Sequence, residues 1–208
     1  MKIVATSDFH GHLPIIPPCD LLLIAGDVCP CWNHGRAFQA RWLHSTFANW
    51  LKRQPARRII GVWGNHDLIA EQRPELVEGL PWTVLTDEQT EFEGLVIHGL
   101  PWQPRFCDWA FNLDEPELSR KYDMILRANV IVSHGPPAGY GDLCSHGERV
   151  GSIAFTKAIE RTKCKLAVFG HIHEDAGQWD LNGSILANVT HVNERYQPTN
   201  TPAAFEIL

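Results

Sequence analysis

Five short motifs along the chain carry seven side chains that could bind metal ions and one further histidine. They are Asp8-Phe9-His10, Gly26-Asp27, Gly64-Asn65-His66-Asp67, His134 in Ser-His-Gly-Pro-Pro, and Gly170-His171-Ile172-His173. Each motif alone arises by chance in many proteins, but all five in this order are specific. Carboxylate, amide and imidazole ligands without a thiolate suit Mn, Fe, Zn, Co or Ni better than Ca or Mg. The array predicts a hydrolytic site with two divalent transition-metal ions.

The seven predicted ligands divide into one bridge and two sets of three. Two cations about 3.5 to 4 Å apart can bridge a hydroxide and clamp a phosphoryl group, which requires a carboxylate shared between them. Asp27 is the natural candidate for this bridge. The two remaining sets are Asp8, His10 and His173 for one ion, and Asn65, His134 and His171 for the other. Two dications, two carboxylates and a hydroxide sum to about +1, so the site attracts a phosphate ester even in an acidic protein.

His66 is the histidine that the ligand sets do not use. It is adjacent to Asn65 in a turn, and an imidazole that titrates near neutrality suits proton donation to a leaving alkoxide. We therefore assign His66 as the general acid, with a hydrogen bond to a metal ligand as the alternative role. Asp67 is expected to lie behind the ligands, where it could orient an imidazole or cap the next helix.

Each motif follows a short apolar run that is rich in β-branched residues. The runs cover residues 3–5, 21–25, 59–63, 130–132 and 166–169. Runs of this kind predict strands, and their continuous apolar character predicts that both faces are covered. Polar residues that follow such strands meet at one edge of a sheet, where open α/β sheets bind ligands.

The spacing of apolar residues predicts helices over residues 34–53, 115–127 and 148–161. Short strands are predicted between residues 82 and 98 around a Glu93-Gly94 turn, and a second hairpin around Asn182-Gly183. These elements predict an α/β fold with some antiparallel pairing, in which two sheets lie between helices.

Composition sets the outer limits of this interpretation. The chain has 208 residues, 44% of them hydrophobic, and no linker or internal repeat divides it, so we expect one domain over residues 1–208. No stretch approaches the roughly 18 apolar residues of a membrane span, and the N-terminus does not resemble a signal peptide. We therefore expect a cytoplasmic protein without membrane contact.

Cysteines and net charge exclude other classes of function. The six cysteines are expected to be reduced thiols, and Cys29-Pro-Cys31 lacks the second cysteine pair that a structural zinc site would need. The net charge of -6 makes a long nucleic acid a poor substrate, because proteins that bind nucleic-acid phosphates usually carry a basic face. A small phosphate ester is the better expectation.

The five motifs together resemble those of the calcineurin-like metallophosphoesterase superfamily. This resemblance implies a four-layer α/β/β/α sandwich with two mixed sheets, Asp27 as the bridging ligand and His66 as the proton donor. A narrower resemblance, to small metallophosphodiesterases of the metallophosphoesterase-domain-containing type, extends almost to the C-terminus. The segments that carry it are 99–104, 108–113, 134–137, 169–174 and 196–202. It implies hydrolysis of phosphodiesters, including cyclic nucleotides and artificial aryl diesters.

The segment after Gly26-Asp27 departs from the serine/threonine protein phosphatases of this superfamily. Those enzymes carry an acidic residue and an arginine in a longer motif, whereas Val28, Cys29 and Pro30 follow Asp27 here. The arginine would help to hold a dianionic monoester, so its absence favours a monoanionic diester. A nuclease or RNA-end-processing enzyme, and a scaffold without activity, are the alternatives.

Substrate contacts are expected from the loops over the site. Tyr140 is a candidate for stacking on a base, which typically contributes about 1 to 3 kcal/mol. Trp102 and Trp109 could stack in the same way, but large aromatic residues between prolines more often fill a core. His12 is a candidate phosphate donor, with a surface histidine as the alternative. The sequence leaves the native metal pair, the natural substrate and the oligomeric state open.

Overall fold

The computed structural model describes residues 1–207, and the first of its two large sheets has five strands. The strands of this sheet are β1 (Lys2–Thr6), β2 (Cys19–Ala25), β3 (Ala56–Val62), β4 (Thr83–Val84) and β13 (Ala203–Glu206). They lie in the order β13-β1-β2-β3-β4. Only β13 is antiparallel to its neighbour, with Ile3 opposite Phe205. The carboxyl ends of β1, β2 and β3 therefore meet at one edge.

The second sheet has six strands in the order β11-β12-β10-β9-β6-β5. These are β5 (Glu88–Phe92), β6 (Leu95–Leu100), β9 (Val130–Ser133), β10 (Leu166–Phe169), β11 (Gly177–Leu181) and β12 (Ser184–Asn188). The four central strands are parallel and the two outer strands antiparallel. A parallel pair formed by β7 (Gln103–Pro104) and β8 (Asn112–Leu113) holds the two ends of the loop between them.

Helical segments cover the outer faces of the sheets. The α-helices are α1 (Arg36–Trp42), α2 (Ala48–Leu51), α3 (Leu68–Gln72), α4 (Glu115–Asp123) and α5 (Ile153–Thr162). A π-helical turn, Leu43–Phe47, joins α1 to α2, and two 3₁₀ turns cover Pro74–Leu76 and His173–Asp175. No helix among residues 1–207 has both the length and the apolar character needed to cross a membrane.

Three apolar cores separate the four layers. Because side chains alternate along a strand, Val4 of β1 packs on the side of helices α1 to α3. Ile3 and Ala5 point into the core between the sheets. On the outer face of the second sheet, Ile131 packs with Phe155 of α5. The predicted fold class is confirmed, because the layers run helix, sheet, sheet, helix and both large sheets are mixed.

The boundaries of all three predicted helices need correction. The helix predicted over residues 148–161 begins only at Ile153, because Ser152 accepts the Phe155 N–H at 3.2 Å as an N-cap and the Val150 N–H bonds to the Asp142 carbonyl. The run predicted over residues 34–53 is interrupted by the π turn, and the helix predicted over 115–127 ends at Asp123.

Both predicted hairpins are confirmed. Glu93 and Gly94 join β5 to β6 with positive φ angles of 48° and 80°, and Asn182 and Gly183 join β11 to β12 with 54° and 89°. Two consecutive residues with positive φ form the tight turn that matches the twist of the paired strands. The hairpins place β5 and β11 as the two outer strands of the second sheet. Their turns lie at the edge opposite to the one where β9 and β10 end.

Candidate metal centre

One half of the centre is built around the side-chain amide of Asn65, in the turn after β3. Its Oδ1 lies 2.8 Å from Nε2 of His134 and 2.8 Å from Nδ1 of His171. Nδ1 of His134 donates to the Ala25 carbonyl at 2.8 Å, which leaves Nε2 with a lone pair when the ring is neutral. An amide oxygen and an imidazole lone pair that face each other at this distance fit a shared cation.

The other half contains Asp8 and His10 after β1, and His173 after β10. Nε2 of His173 lies 3.2 Å from Nε2 of His10 and 3.3 Å from Oδ1 of Asp8. The same Asp8 oxygen is 3.9 Å from Nε2 of His10. These three donor atoms therefore converge in the same way as the atoms around Asn65.

Asp27, after β2, lies between the two halves. Its Oδ2 is 3.6 Å from Nε2 of His10 and 3.6 Å from Nε2 of His134. A single carboxylate oxygen is thus equally distant from a histidine of each set. The structure brings all seven predicted ligands together where strands of both sheets end, so the predicted single sheet edge is replaced by the ends of β1, β2 and β3 in one sheet and of β9 and β10 in the other. Asp27 lies between the two sets of three.

Burial makes the centre electrostatically unfavourable without cations. Asp8 and Asp27 are 0% and 1% exposed. Burial raises the pKa of Asp27 well above its usual value, and the charges of Asp67 and Asp8 add to this effect. Burial also lowers the pKa of His171 to about 3. Bound divalent cations would compensate the carboxylates and use the neutral imidazoles as ligands, so these residues fit a metal site.

The backbone holds four of the ligands in the left-handed region. The φ angles are 53° at Asp8, 45° at His10, 53° at Asp27 and 72° at His171. Residues other than glycine rarely adopt this conformation, and such strain tends to cluster at functional sites. The strand ends therefore turn sharply, and each turn points a donor atom towards the same centre.

Two glycines let neighbouring backbone approach the ligands. A Cβ on Gly170 would lie 2.0 Å from Oδ2 of Asp8, and a Cβ on Gly64 would lie 2.3 Å from Oδ1 of Asp27. Both distances are far below normal contact, and both carboxylates are buried. Glycine is therefore required at these positions by close packing against the ligands.

Asp67 connects two of the ligand-bearing turns. Its carboxylate accepts backbone hydrogen bonds from Gly64 at 2.8 Å, Cys29 at 2.9 Å and Val28 at 3.4 Å. It occupies the N-cap position of α3, yet its side chain makes no capping bond there. Asp67 thus supports the ligands through the backbone of the turn after Asp27, rather than through an imidazole or a helix cap.

His66 lies beside the ligands and is almost fully buried. Its backbone N–H donates to Oδ1 of Asp27 at 2.7 Å. Its ring stacks on Trp109, with centroids 4.2 Å apart and planes 28° apart, and one ring nitrogen lies within 4.8 Å of donor atoms of Asp27 and His10. Burial, with a further contribution from His34, lowers the pKa of His66 to about 3.

A comparison with protein families identifies the class of this site. Residues 1–175 match the family model described as calcineurin-like phosphoesterase. The chain belongs to the calcineurin-like phosphoesterase family. The match confirms the superfamily resemblance and covers all seven ligands, and members of this family use divalent metals.

Relatives of this phosphoesterase include proteins from animals. Human metallophosphoesterase domain-containing protein 1 is 29% identical over 99% of this chain and 71% of the human protein. A UPF0046 protein of Caenorhabditis elegans is 36% identical over 100% of this chain, but the chain spans only 60% of that protein. The similarity therefore continues beyond the matched phosphoesterase domain to the end of the chain.

Solved structures support the calcineurin-like fold. The phosphopantetheinyl hydrolase of Mycobacterium tuberculosis has a TM-score of 0.58 at 16% identity, with 94% of this chain and 90% of that chain covered. A Thermus thermophilus protein has a TM-score of 0.56 at 14% identity, with 90% and 88% covered. At these identities the similarity concerns the fold alone.

A cavity of about 490 Å³ opens from the phosphoesterase centre. Asp27, Asn65, His66, His171 and His173 line it. We call these residues, together with the ligands Asp8, His10 and His134 behind them, the floor. We call the remaining lining residues the rim, and they are Pro104, Arg105, Phe106, Cys144, His146, Glu148, Val150, Ile172, Glu174, Glu194 and Tyr196. A larger cavity of about 650 Å³ lies elsewhere and contains none of the seven ligands, so the smaller cavity is the one next to the chemistry.

The predicted substrate contacts at positions 12, 102, 109 and 140 are not among the residues that line this phosphoesterase cavity. Tyr140 packs, half-buried, against the core beneath α4 and α5, and His12 lies with its ring 6.2 Å from that of Trp32. Trp102 donates to Asp87 at 2.7 Å and packs against both outer cores. Trp109 is different, because it stacks on His66 at the edge of the centre.

Two residues at the phosphoesterase centre were not predicted from the sequence. The ring of Tyr196 lies 4.8 Å from that of His10 and 5.4 Å from that of His173, and Tyr196 itself has a φ of 58°. Nε2 of His34 lies 3.3 Å from Nδ1 of His66. Tyr196 belongs to a segment that carries the narrower resemblance, which was the available signal. His34 stands in no motif.

Proposed function

We propose that the protein is a dinuclear metal-dependent phosphodiesterase that acts on small phosphodiesters, with cyclic nucleotides as candidate substrates. The observation that carries this proposal is the position of the Asp27 Oδ2, which is 3.6 Å from a histidine nitrogen of each donor set. One shared carboxylate between two convergent sets is the arrangement that a pair of cations requires. Mn, Fe, Zn, Co and Ni are the metals that these donors suit.

The ligands and their supports determine what the metal pair can do. Two bound cations would supply the Lewis acidity that activates water and neutralises the phosphoryl oxygens. Asp8, His10 and His173 would hold one cation, and Asn65, His134 and His171 the other. Neutral Asn65 contributes an oxygen without adding negative charge, so the centre stays attractive to an anionic ester.

His66 is placed to act on the leaving group. Its backbone N–H is fixed to Asp27, and its ring reaches the cavity beside the ligands. Burial favours the neutral ring, whereas the negative charge of a bound phosphodiester favours the protonated ring. The protonated ring donates its proton to the departing alkoxide, so the P–O bond breaks as the new O–H bond forms.

The rim favours a small substrate with low charge. Glu148, Glu174 and Glu194 line it, and Arg105 is paired with Asp114 at 2.8 Å. A polyanion such as RNA would meet these carboxylates, which speaks against a nuclease. All seven ligands are present and converge, which supports catalysis over a purely scaffolding role.

Metal reconstitution tests the proposed function. Metal-stripped protein should be loaded separately with Mn, Fe, Co, Ni and Zn. Each form is then assayed with an aryl phosphodiester, an aryl monoester, 2′,3′- and 3′,5′-cyclic nucleotides and a short RNA. We expect diester hydrolysis to return with at least one metal and to exceed monoester hydrolysis. If no metal restores diester hydrolysis, the proposal fails, and if RNA is the best substrate, the nuclease alternative replaces it.

A His66→Ala variant tests the assigned acid. Loss of a general acid typically lowers turnover by about 10²- to 10⁴-fold, and we expect metal content to stay at two ions per chain. His44→Ala is the matched control, because His44 is an exposed histidine that bonds to the Leu76 carbonyl. Substantial metal loss from His66→Ala alone would show that His66 is a ligand instead.

A further inference from the structure

His34 is a half-buried histidine in the loop before α1, outside every motif. Its Nε2 lies 3.3 Å from Nδ1 of His66, and the two rings are 5.3 Å apart. Its ring also meets Trp109 edge-on, with centroids 5.0 Å apart and planes at 81°. Trp109 in turn stacks on His66, so these three residues form one contact group.

This group restrains His66 from several directions. Trp109 covers one face of the ring, and His34 occupies Nδ1. On the backbone, the N–H of His66 donates to Asp27, and its carbonyl accepts from Nε2 of Gln39 at 2.7 Å. Because Nδ1 is already engaged, Nε2 is the nitrogen left to face a substrate.

We propose that His34 is a positioning residue, which binds Nδ1 of His66 and thereby fixes the ring so that Nε2 carries the proton to the leaving group. This proposal rests on the proposed function, because it concerns the same acid. Nε2 of His34 accepts the Nδ1–H of protonated His66. When the Nε2–H bond breaks, the leaving oxygen gains the proton, and neutral His66 keeps its bond to His34. Water restores the lost proton between turnovers.

The surroundings of His34 suit an acceptor. Burial, with a smaller contribution from Arg36, lowers the pKa of His34, and this favours the neutral ring with a free lone pair. A hydrogen-bond partner at the second nitrogen is how proteins commonly fix the tautomer and orientation of a working imidazole.

Leaving-group dependence separates positioning from general structural support. A p-nitrophenolate leaves without much help from an acid, whereas the alkoxide of a 2′,3′-cyclic nucleotide needs a proton. We expect His34→Ala to lower kcat for the cyclic nucleotide by at least about tenfold, with little change in KM and a smaller loss for the aryl diester. His34→Gln should recover part of the loss, since its amide can reach the same nitrogen. His44→Ala is the control.

A double variant supplies the decisive comparison. If His34 acts through His66, His34→Ala should cost nothing further in a His66→Ala background. Additive losses, or equal losses on both substrates, would overturn the proposal.

Imidazole ¹⁵N spectra of the metal-free protein give a readout that needs no activity. We expect His66 to populate one tautomer in the wild-type protein and a mixture in His34→Ala. An unchanged His66 spectrum would refute the role of His34, even if the protein hydrolysed every diester. Failure of hydrolysis in the wild-type protein, with the spectral change present, would count against the proposed function alone.

Discussion

The floor and the rim of the cavity come from different kinds of segment, buried strand ends for the floor and exposed connections for much of the rim. Five of the ligands are at most 2% exposed and stand directly after buried strands or in the turns that follow them. Rim residues such as Phe106, 58% exposed, come from connections between elements. A substitution in the floor therefore disturbs packed neighbours and charge together, whereas one at an exposed rim residue such as Phe106 chiefly changes what a substrate touches. The difference assigns chemistry to the floor and selectivity to the rim.

The largest effect is expected from Asp27→Asn, which removes the shared negative charge but keeps a side chain that tolerates the φ of 53°. Metal affinity should fall by more than the roughly 10- to 100-fold that loss of an outer partner causes, and activity should fall with it. Metal content by elemental analysis and turnover measure this. Asp180→Asn, in an exposed strand of the outer hairpin, is the control.

In the metal-free protein, we expect Asp27→Asn to increase the folding stability. Because the pKa of Asp27 is raised in the folded state, this carboxyl group binds more protons in the folded than in the unfolded protein as the pH rises above 3.8, the usual value. The contribution of Asp27 to the free energy of unfolding thus falls with rising pH, and Asp27→Asn removes this loss. We expect metal-free Asp27→Asn to unfold at a higher temperature than wild type at neutral pH. A lower unfolding temperature in both metal-free and metal-loaded protein would contradict the assignment of Asp27 as a charge held for cations.

The floor could be predicted from the sequence because its ligands follow local patterns. An apolar run that ends in a polar residue predicts where a buried strand reaches the sheet edge, and His134 after β9 is an example. The tight turn at Asn182 and Gly183 depends on conformations that those two residues favour. Such signals lie within a few residues of the feature that they predict.

The positions of the other residues around the centre depend on contacts between segments that are distant in sequence. Tyr196 reaches His10 across 186 positions of sequence, and His34 reaches His66 across 32. Neither position shows a periodicity or a turn signal that would indicate its partner. Tyr140 was predicted at the substrate from its loop context, yet it packs against a core. Residues on irregular connections are placed by tertiary packing, which a local pattern does not encode.

A smaller effect on the floor is expected from Gly170→Ala. The new methyl group would lie 2.0 Å from Oδ2 of Asp8 and 2.2 Å from Oγ of Ser7, so the carboxylate must shift. Overpacking of this kind typically costs about 1 to 3 kcal/mol of folding stability. Because Asp8 belongs to one donor set, we expect that set to lose its metal before the set around Asn65. Stepwise metal titration and thermal unfolding measure the two effects.

Gly177→Ala is the matched control for Gly170→Ala. It is the first residue of β11, and the nearest atoms to its new methyl group would be ring atoms of Trp179, from 3.2 Å. Unchanged metal binding in Gly170→Ala would show that the floor is more adaptable than its burial indicates, and the contrast with the rim would weaken.

The smallest effect is expected at the rim, from Phe106→Ala. An aromatic contact with a substrate ring contributes about 0.5 to 1.5 kcal/mol, so KM for an aryl diester should rise roughly 2- to 10-fold while kcat and metal content stay the same. A dialkyl diester without a ring should show no such rise. Met124→Ala, 66% exposed and outside the cavity, is the control. An equal rise in KM for both diesters would mean that Phe106 shapes the cavity and makes no stacking contact, and a fall in kcat or metal content would remove the distinction between rim and floor.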